Sequence, residues 1–284
     1  VAAASAAAAA AAAAVAAAPV ERIPGGGSGG TGGRSSGNEP AGVDVWALGG
    51  SLYLDNTKSG GSYDGTLSTS MVGVDKRFGA LIVGLGFGYE RLNLTTKYNS
   101  GNMDYDGLSI MPYLSYSLAK DLVADAAINY TWLNYSMKDT QSGVKYHDDM
   151  AAARTFTSVG LTKYLVWDKF LLSGRVGTLY LNENQSSYTL NTTEYGKSDI
   201  YLWQATLGVR GTFDLGNFRP FVGATYSQDL MKSGNENVDL WGTDFDLGFN
   251  YSVTDRMTLG LTGTYGIREN LTKAGGMMNF MYQF

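Results

Sequence analysis

The chain has a single histidine and no cysteine in 284 residues. His147 lies in Tyr146-His147-Asp148-Asp149, where an imidazole beside carboxylates could serve as an acid–base pair. Hydrolysis would also need a nucleophile, and no motif of the Gly-x-Ser-x-Gly kind lies near it. One imidazole without thiolates makes no credible metal site. No catalytic, metal or cofactor-binding residues are therefore expected, and an enzyme built on His147 stays only as the least favoured reading. A net charge of -5 with no cluster of Lys and Arg excludes a nucleic-acid partner.

The other chemistry available is that of charges at regular spacing. Asp75, Glu90, Asp125, Arg175, Glu183, Arg210, Asp244 and Asp246 each fall on the polar side of a segment whose apolar residues alternate with polar or small ones. In Leu81 to Glu90, Leu81, Val83, Leu85, Phe87 and Tyr89 share one face, and Gly84, Gly86, Gly88 and Glu90 the other. Leu108 to Leu118, Ala124 to Trp132, Tyr201 to Phe213 and Asp244 to Val253 repeat the pattern. Such strands can belong to a soluble sandwich or to a membrane barrel whose polar face lines a lumen.

Strand length and turn spacing favour the barrel. The alternation gives about twelve strands, many of 12 or more residues, against about 5 or 6 in globular proteins. Tight turns are expected at Phe78-Gly79-Ala80, Ala119-Lys120-Asp121, Trp167-Asp168-Lys169, Asp214 to Asn217 and Thr254-Asp255-Arg256. Longer polar links are expected at Asn56 to Ser62, Thr96 to Asp104, Lys138 to Asp149, Gln185 to Lys197, Met231 to Asp239 and Arg268 to Lys273, the last on the loop side like the segment of His147. Short turns on one side and long loops on the other predict an all-β, antiparallel up-and-down transmembrane barrel with both barrel ends periplasmic and long loops extracellular. Trp46, Tyr164, Trp167, Phe170, Phe213, Phe218 and Trp241 are expected in interfacial girdles. Charges at mid-bilayer cost about 2 to 4 kcal/mol when they face lipid, so the eight charged residues are expected to line the pore. They would either brace it or grip a threaded segment.

Two domains follow from composition. Residues 1–41 are an Ala-rich tract to Ala18 followed by Gly- and Ser-rich sequence. The first part is open to a helix and the second reads as flexible coil. The Ala tract has no basic n-region and no Leu-rich core, so the chain is expected to be a fragment or processed product. Residues 42–284 form the barrel. Phe280, Tyr282 and Phe284 close it with aromatics at every second position.

From Val43 to Phe284 the chain resembles the C-terminal translocator barrel of monomeric autotransporters. The resemblance rests on Val45-Trp46 with Gly49-Gly50, on Gly73 to Phe78, on Gly84 to Tyr89, on Asp106 to Tyr116, and on Arg219 to Ala224. It implies an integral outer-membrane protein of type V secretion that carries and anchors an N-terminal passenger at the cell surface. It also implies a monomer without cofactors, periplasmic chaperones, a lipopolysaccharide-containing membrane, and an insertion machinery that reads Phe280, Tyr282 and Phe284. A porin-like diffusion channel is the main alternative. The family usually threads a helix just before the first strand, whereas Gly25 to Gly33 disfavours one here. Either the more distant Ala tract, about 27 Å long if helical, or an extended Gly-rich strand would then fill the lumen.

Overall fold

The computed structural model describes residues 42–58, 61–97, 100–141, 144–190, 193–233 and 241–284. Residues 1–41, including the expected linker and any helix in it, lie outside the described residues. The strands are β1 (Val43–Asn56), β2 (Tyr63–Phe78), β3 (Leu81–Thr96), β4 (Gly101–Ala119), β5 (Leu122–Gln141), β6 (Val144–Trp167), β7 (Phe170–Gln185), β8 (Tyr188–Leu190), β9 (Thr193–Tyr195), β10 (Ser198–Phe213), β11 (Phe218–Lys232), β12 (Trp241–Thr254), β13 (Met257–Arg268) and β14 (Leu271–Gln283). Twelve of them make one closed antiparallel barrel in chain order, and β8 and β9 form a small separate hairpin in the link between β7 and β10.

Closure comes from β1 pairing with β14 in an unbroken register, from Asp44↔Gln283 to Asn56↔Leu271. No sheet edge is left, which is the condition for a β-structure to cross lipid. Pro112 sits inside β4 opposite Leu85. It has no N–H to donate, and the β4–β5 pairs skip from Ile110↔Tyr130 to Tyr113↔Ala127.

The outer face is apolar at mid-height, with Val72, Phe87, Leu108, Leu114, Ile128, Leu207, Val222 and Leu247 all exposed. Aromatic residues flank this belt. Trp167, Phe170, Phe213 and Phe218 stand outward at the end with the tight turns, and Trp132, Trp203 and Trp241 stand outward toward the other end. Phe213 and Trp203 lie on the same strand, about ten residues apart. With about 3.3 Å per residue and a tilt near 40°, their separation along the barrel axis is about 25 Å, the height of an outer-membrane apolar band.

Two expectations are corrected. Trp46 and Tyr164 are buried on the inner side of the wall rather than standing in a girdle. Their parity on β1 and β6 is that of the inward residues Leu48 and Thr162. The expected links at Thr96 to Asp104, Lys138 to Asp149 and Arg268 to Lys273 are largely strand, since β4 starts at Gly101, β5 and β6 run to Gln141 and from Val144, and β14 starts at Leu271. Once a strand has left the hydrocarbon its outer face has no need of apolar residues. The hydrophobic alternation then fades while the backbone pairing goes on.

The tight turns carry their own chemistry. Gly79 has φ +61° in the two-residue turn between Phe78 and Leu81, the geometry in which a first central glycine matches the twist of the strands. Gly79→Val is expected to destabilise the barrel by about 1 to 2 kcal/mol, measured as a shift in the urea midpoint for unfolding from lipid bilayers. An unchanged midpoint would show that the turn tolerates a β-branched residue at this φ.

Candidate functional site: the barrel lumen

Strands two apart in the wall are about 10 Å from each other. An inward Tyr, Arg or Lys can reach across that gap only if the strand between presents no side chain. The barrel meets this requirement in register. Asp75, Gly84 and Tyr113 form one row across β2, β3 and β4, and the Tyr113 ring occupies the space a Cβ on Gly84 would take. Tyr113 Oη donates to Asp75 Oδ2 at 2.6 Å and accepts from Trp46 Nε1 at 2.6 Å. The indole in turn lies over Gly73 and Gly86.

The same device recurs around the wall. Arg175 on β7 crosses over Gly160 on β6 to pair with both oxygens of Asp125 on β5. Lys273 reaches Asp244 at 2.9 Å across Gly266. Arg268 reaches Ser227 Oγ at 3.1 Å across Gly242 and also bonds Asp229 at 3.2 Å. Arg210 and Asp246 flank Gly223 in one row, with their charged atoms 4.0 Å apart. The Arg210 guanidinium rests 4.3 Å from the centre of the Phe221 ring, and Asp246 accepts from Thr264 Oγ1 at 2.7 Å.

The most buried group joins Glu90 on β3, Arg154 on β6 and Glu183 on β7. Arg154 donates from Nη1 to Glu90 at 2.6 Å and from Nε to Glu183 at 2.9 Å. Glu183 is fully buried and also accepts from Tyr135 Oη at 2.8 Å and Gln185 Nε2 at 2.7 Å. Thus all eight charged residues singled out in the sequence stand on the inner side of the wall, and each named carboxylate has a cationic or hydroxyl partner there. Arg154, Tyr113 and Trp46 belong to the same networks and were missed. Arg154 follows a segment that reads as loop, but counting back from Thr162, Ser158 and Phe156 gives it the inward parity.

The two halves of the lumen differ in bulk. Toward β1–β6 the wall carries Trp46, Met71, Met111 and Tyr113, all buried. Toward β10–β14, Thr206, Gly208, Thr225, Thr262, Thr264 and Gly275 stand among the charged pairs Arg210–Asp246 and Asp244–Lys273 around a cavity of about 300 Å³. At the barrel rim, ion pairs are exposed. Lys97 bridges Asp55 at 2.9 Å and Asp64 at 3.1 Å, and its pKa is held above the usual lysine value chiefly by the hydrogen bond to Asp55. Asp121 is held below the usual carboxylate value chiefly by its bond from Lys163. Solvent screens both.

His147 is on β6 and not in a loop. It is exposed, with Nε2 3.5 Å from Asp149. Among the described residues no group of three or more His, Asp or Glu could hold a metal. Phe280, Tyr282 and Phe284 stand on the outer face of β14 at the turn end, where the Tyr282 ring meets Phe284 edge-on at 4.7 Å.

A family model described as the autotransporter beta-domain matches residues 45–273. The chain belongs to the autotransporter β-domain family. It is an outer-membrane translocator barrel for the secretion of a passenger. No curated protein sequence matches it. Among solved structures it is similar to the translocator domain of autotransporter NalP from Neisseria meningitidis, at 13% identity and a TM-score of 0.77 over 86% of this chain and 89% of that one. It is also similar to the β-domain of the Bordetella autotransporter BrkA, at 15% identity and a TM-score of 0.74 over 85% of this chain and 99% of that one. A third is the transport unit of autotransporter AIDA-I from Escherichia coli, at 16% identity and a TM-score of 0.61 over 86% and 90% of the two chains. At these identities the likeness is one of fold.

The buried Glu90–Arg154–Glu183 group yields a stability test. Arg154→Met leaves two carboxylates without their cation and is expected to cost about 3 to 5 kcal/mol, read from urea unfolding in bilayers. Combining it with Glu90→Gln and Glu183→Gln is expected to recover most of that loss. Equal destabilisation of the single and triple variants would mean that packing, not charge, holds this part of the lumen.

Proposed function

We propose that the segment preceding Val43 passes through the lumen of this translocator as the tether of its passenger. The loop end then faces the cell exterior, and both ends of the barrel face the periplasm. The observation that carries this reading is the entry point of the chain: Gly42 leads into β1 at the turn end, beneath a cavity whose β10–β14 lining includes many Gly and Thr residues between its charged pairs. Small side chains between the paired charges of this wall leave room for a polypeptide.

Orientation is supported by the outer surface. Beyond the aromatic residues of the loop end, the outer face of β3–β6 turns polar, with Arg91, Asp106 and Lys138 exposed, as suits strands that project from the bilayer into lipopolysaccharide and medium. The aromatic ladder Phe280, Tyr282 and Phe284 lies on the outer face beside the closure seam, where barrel-insertion machinery would meet the last strand after delivery by periplasmic chaperones. The barrel pairs every wall strand with its own neighbours, so its closure needs no strand from a second copy, in keeping with a monomer. On this reading its lumenal carboxylates serve to brace the pore through their ion pairs and hydrogen bonds.

Because the chain has no cysteine, the tether can be located by pairs of introduced ones. Ser36 lies seven residues before Val43, and Thr225 lies seven residues into β11, in the cavity wall. Ser36→Cys with Thr225→Cys is expected to form a disulfide in outer membranes under mild oxidation, seen as a shift on non-reducing gels. No disulfide, with the thiol introduced in place of Ser36 fully reactive toward a maleimide supplied from the periplasmic side, would contradict a lumenal tether.

A further inference from the structure

The interior of an outer-membrane barrel is ordinarily polar, yet at the loop end of this lumen the side formed by β14 and β1–β6 is packed with hydrocarbon. Leu54, Tyr63, Leu67, Leu92, Leu94 and Leu133 pack together there, each at most 2% exposed, with further apolar side chains from β4, β5, β6 and β14. They point inward, so lipid does not account for them, and they come from seven of the twelve wall strands. The cluster is continuous with the cavity below, since Leu52 and Leu67 belong to both.

A cover lies over it. The β8–β9 hairpin projects from the link between β7 and β10, and Tyr188 packs onto the cluster. Its ring stacks on Tyr195 at 4.8 Å, and the Thr189 N–H donates to Asp148 of β6 at 2.5 Å, which ties the hairpin to the strand beside β7. Near the loop end of β11, Gln204 and Arg268 converge on Asp229. Apolar constrictions exclude water and therefore ions, because hydration cannot be kept across them.

We propose that this cluster is a hydrophobic seal at the loop-end mouth, with the β8–β9 hairpin as its outer cover, so that the barrel's own side chains keep ions from leaking through the translocator. A passing polypeptide displaces the seal toward β1–β6, and the side chains then close around the tether that remains. The inference rests on the translocation reading only for that passage; the exclusion of ions is a property of the barrel itself.

The test is single-channel conductance of the full-length protein in planar bilayers, compared with Leu54→Ser/Leu94→Ser/Leu133→Ser and with Tyr188→Ala. Barrel integrity is checked by the mobility of unheated protein on detergent gels. The expected result is a nearly silent parent protein, a severalfold higher conductance in the triple variant and more frequent openings in Tyr188→Ala. If the triple variant fails to fold, Tyr188→Ala decides alone, because its side chain belongs to the hairpin outside the wall. An open parent pore, or unchanged conductance in a folded variant, overturns the seal. The disulfide between the two introduced cysteines, Ser36→Cys and Thr225→Cys, formed in the same variants, reports the tether separately: opened variants that still form it support both readings, and opened variants that never form it leave the seal standing and remove the tether.

Discussion

Everything in this barrel follows from the cost of an unpaired backbone group in lipid. A sheet can cross hydrocarbon only when its first and last strands find each other, and here β1 and β14 pair along their whole shared length. Closure fixes the circumference at twelve strands and thereby fixes an interior that must be filled or hydrated. Strands two apart become close enough for side chains to meet over the strand between them. Glycine at the middle position turns that proximity into a contact, and the rows Asp75–Gly84–Tyr113, Asp244–Gly266–Lys273 and Arg210–Gly223–Asp246 all have this form.

The inner polar ties named above run either within β1–β7 or within β10–β14. Trp46, Tyr113, Asp75, Glu90, Arg154, Glu183, Asp125 and Arg175 hold the first set, and Asp229, Arg268, Arg210, Asp246, Asp244 and Lys273 the second. Across the β1–β14 closure the contacts are apolar as well as backbone, with Leu271 in the cluster of Leu54 and Met277 and Met281 against the cluster of Trp46. Bulky apolar side chains fill the space around the first set, whereas Gly and Thr stand between the members of the second. A lumen of this shape is braced on both sides and keeps room for a chain beside the smaller residues of β10–β14.

Much of this is legible in the sequence because lipid imposes period-two alternation on every residue it touches. All five tight turns and the twelve wall strands follow from that pattern, and so does the inward parity of the eight charges. The signal fails where lipid ends. Lys138 to Asp149 reads as a loop because its residues are polar on both faces, though β5 and β6 stay paired to Gln141↔Val144. Residue type alone suggests a girdle for Trp46 and Tyr164, whereas their parity places them inside. The inner glycines look merely small in any one segment. Their role needs the register of three strands at once, which no single segment displays.

Passage of a polypeptide to the cell surface is the activity to which closure, bracing and the small-residue wall all lead. The most direct measurement fuses a compact reporter upstream of Val1 and treats intact cells with a protease that does not cross the outer membrane. Cleavage of the reporter in intact cells, with the barrel left embedded, is the predicted result. Protection until the outer membrane is permeabilised would contradict the account.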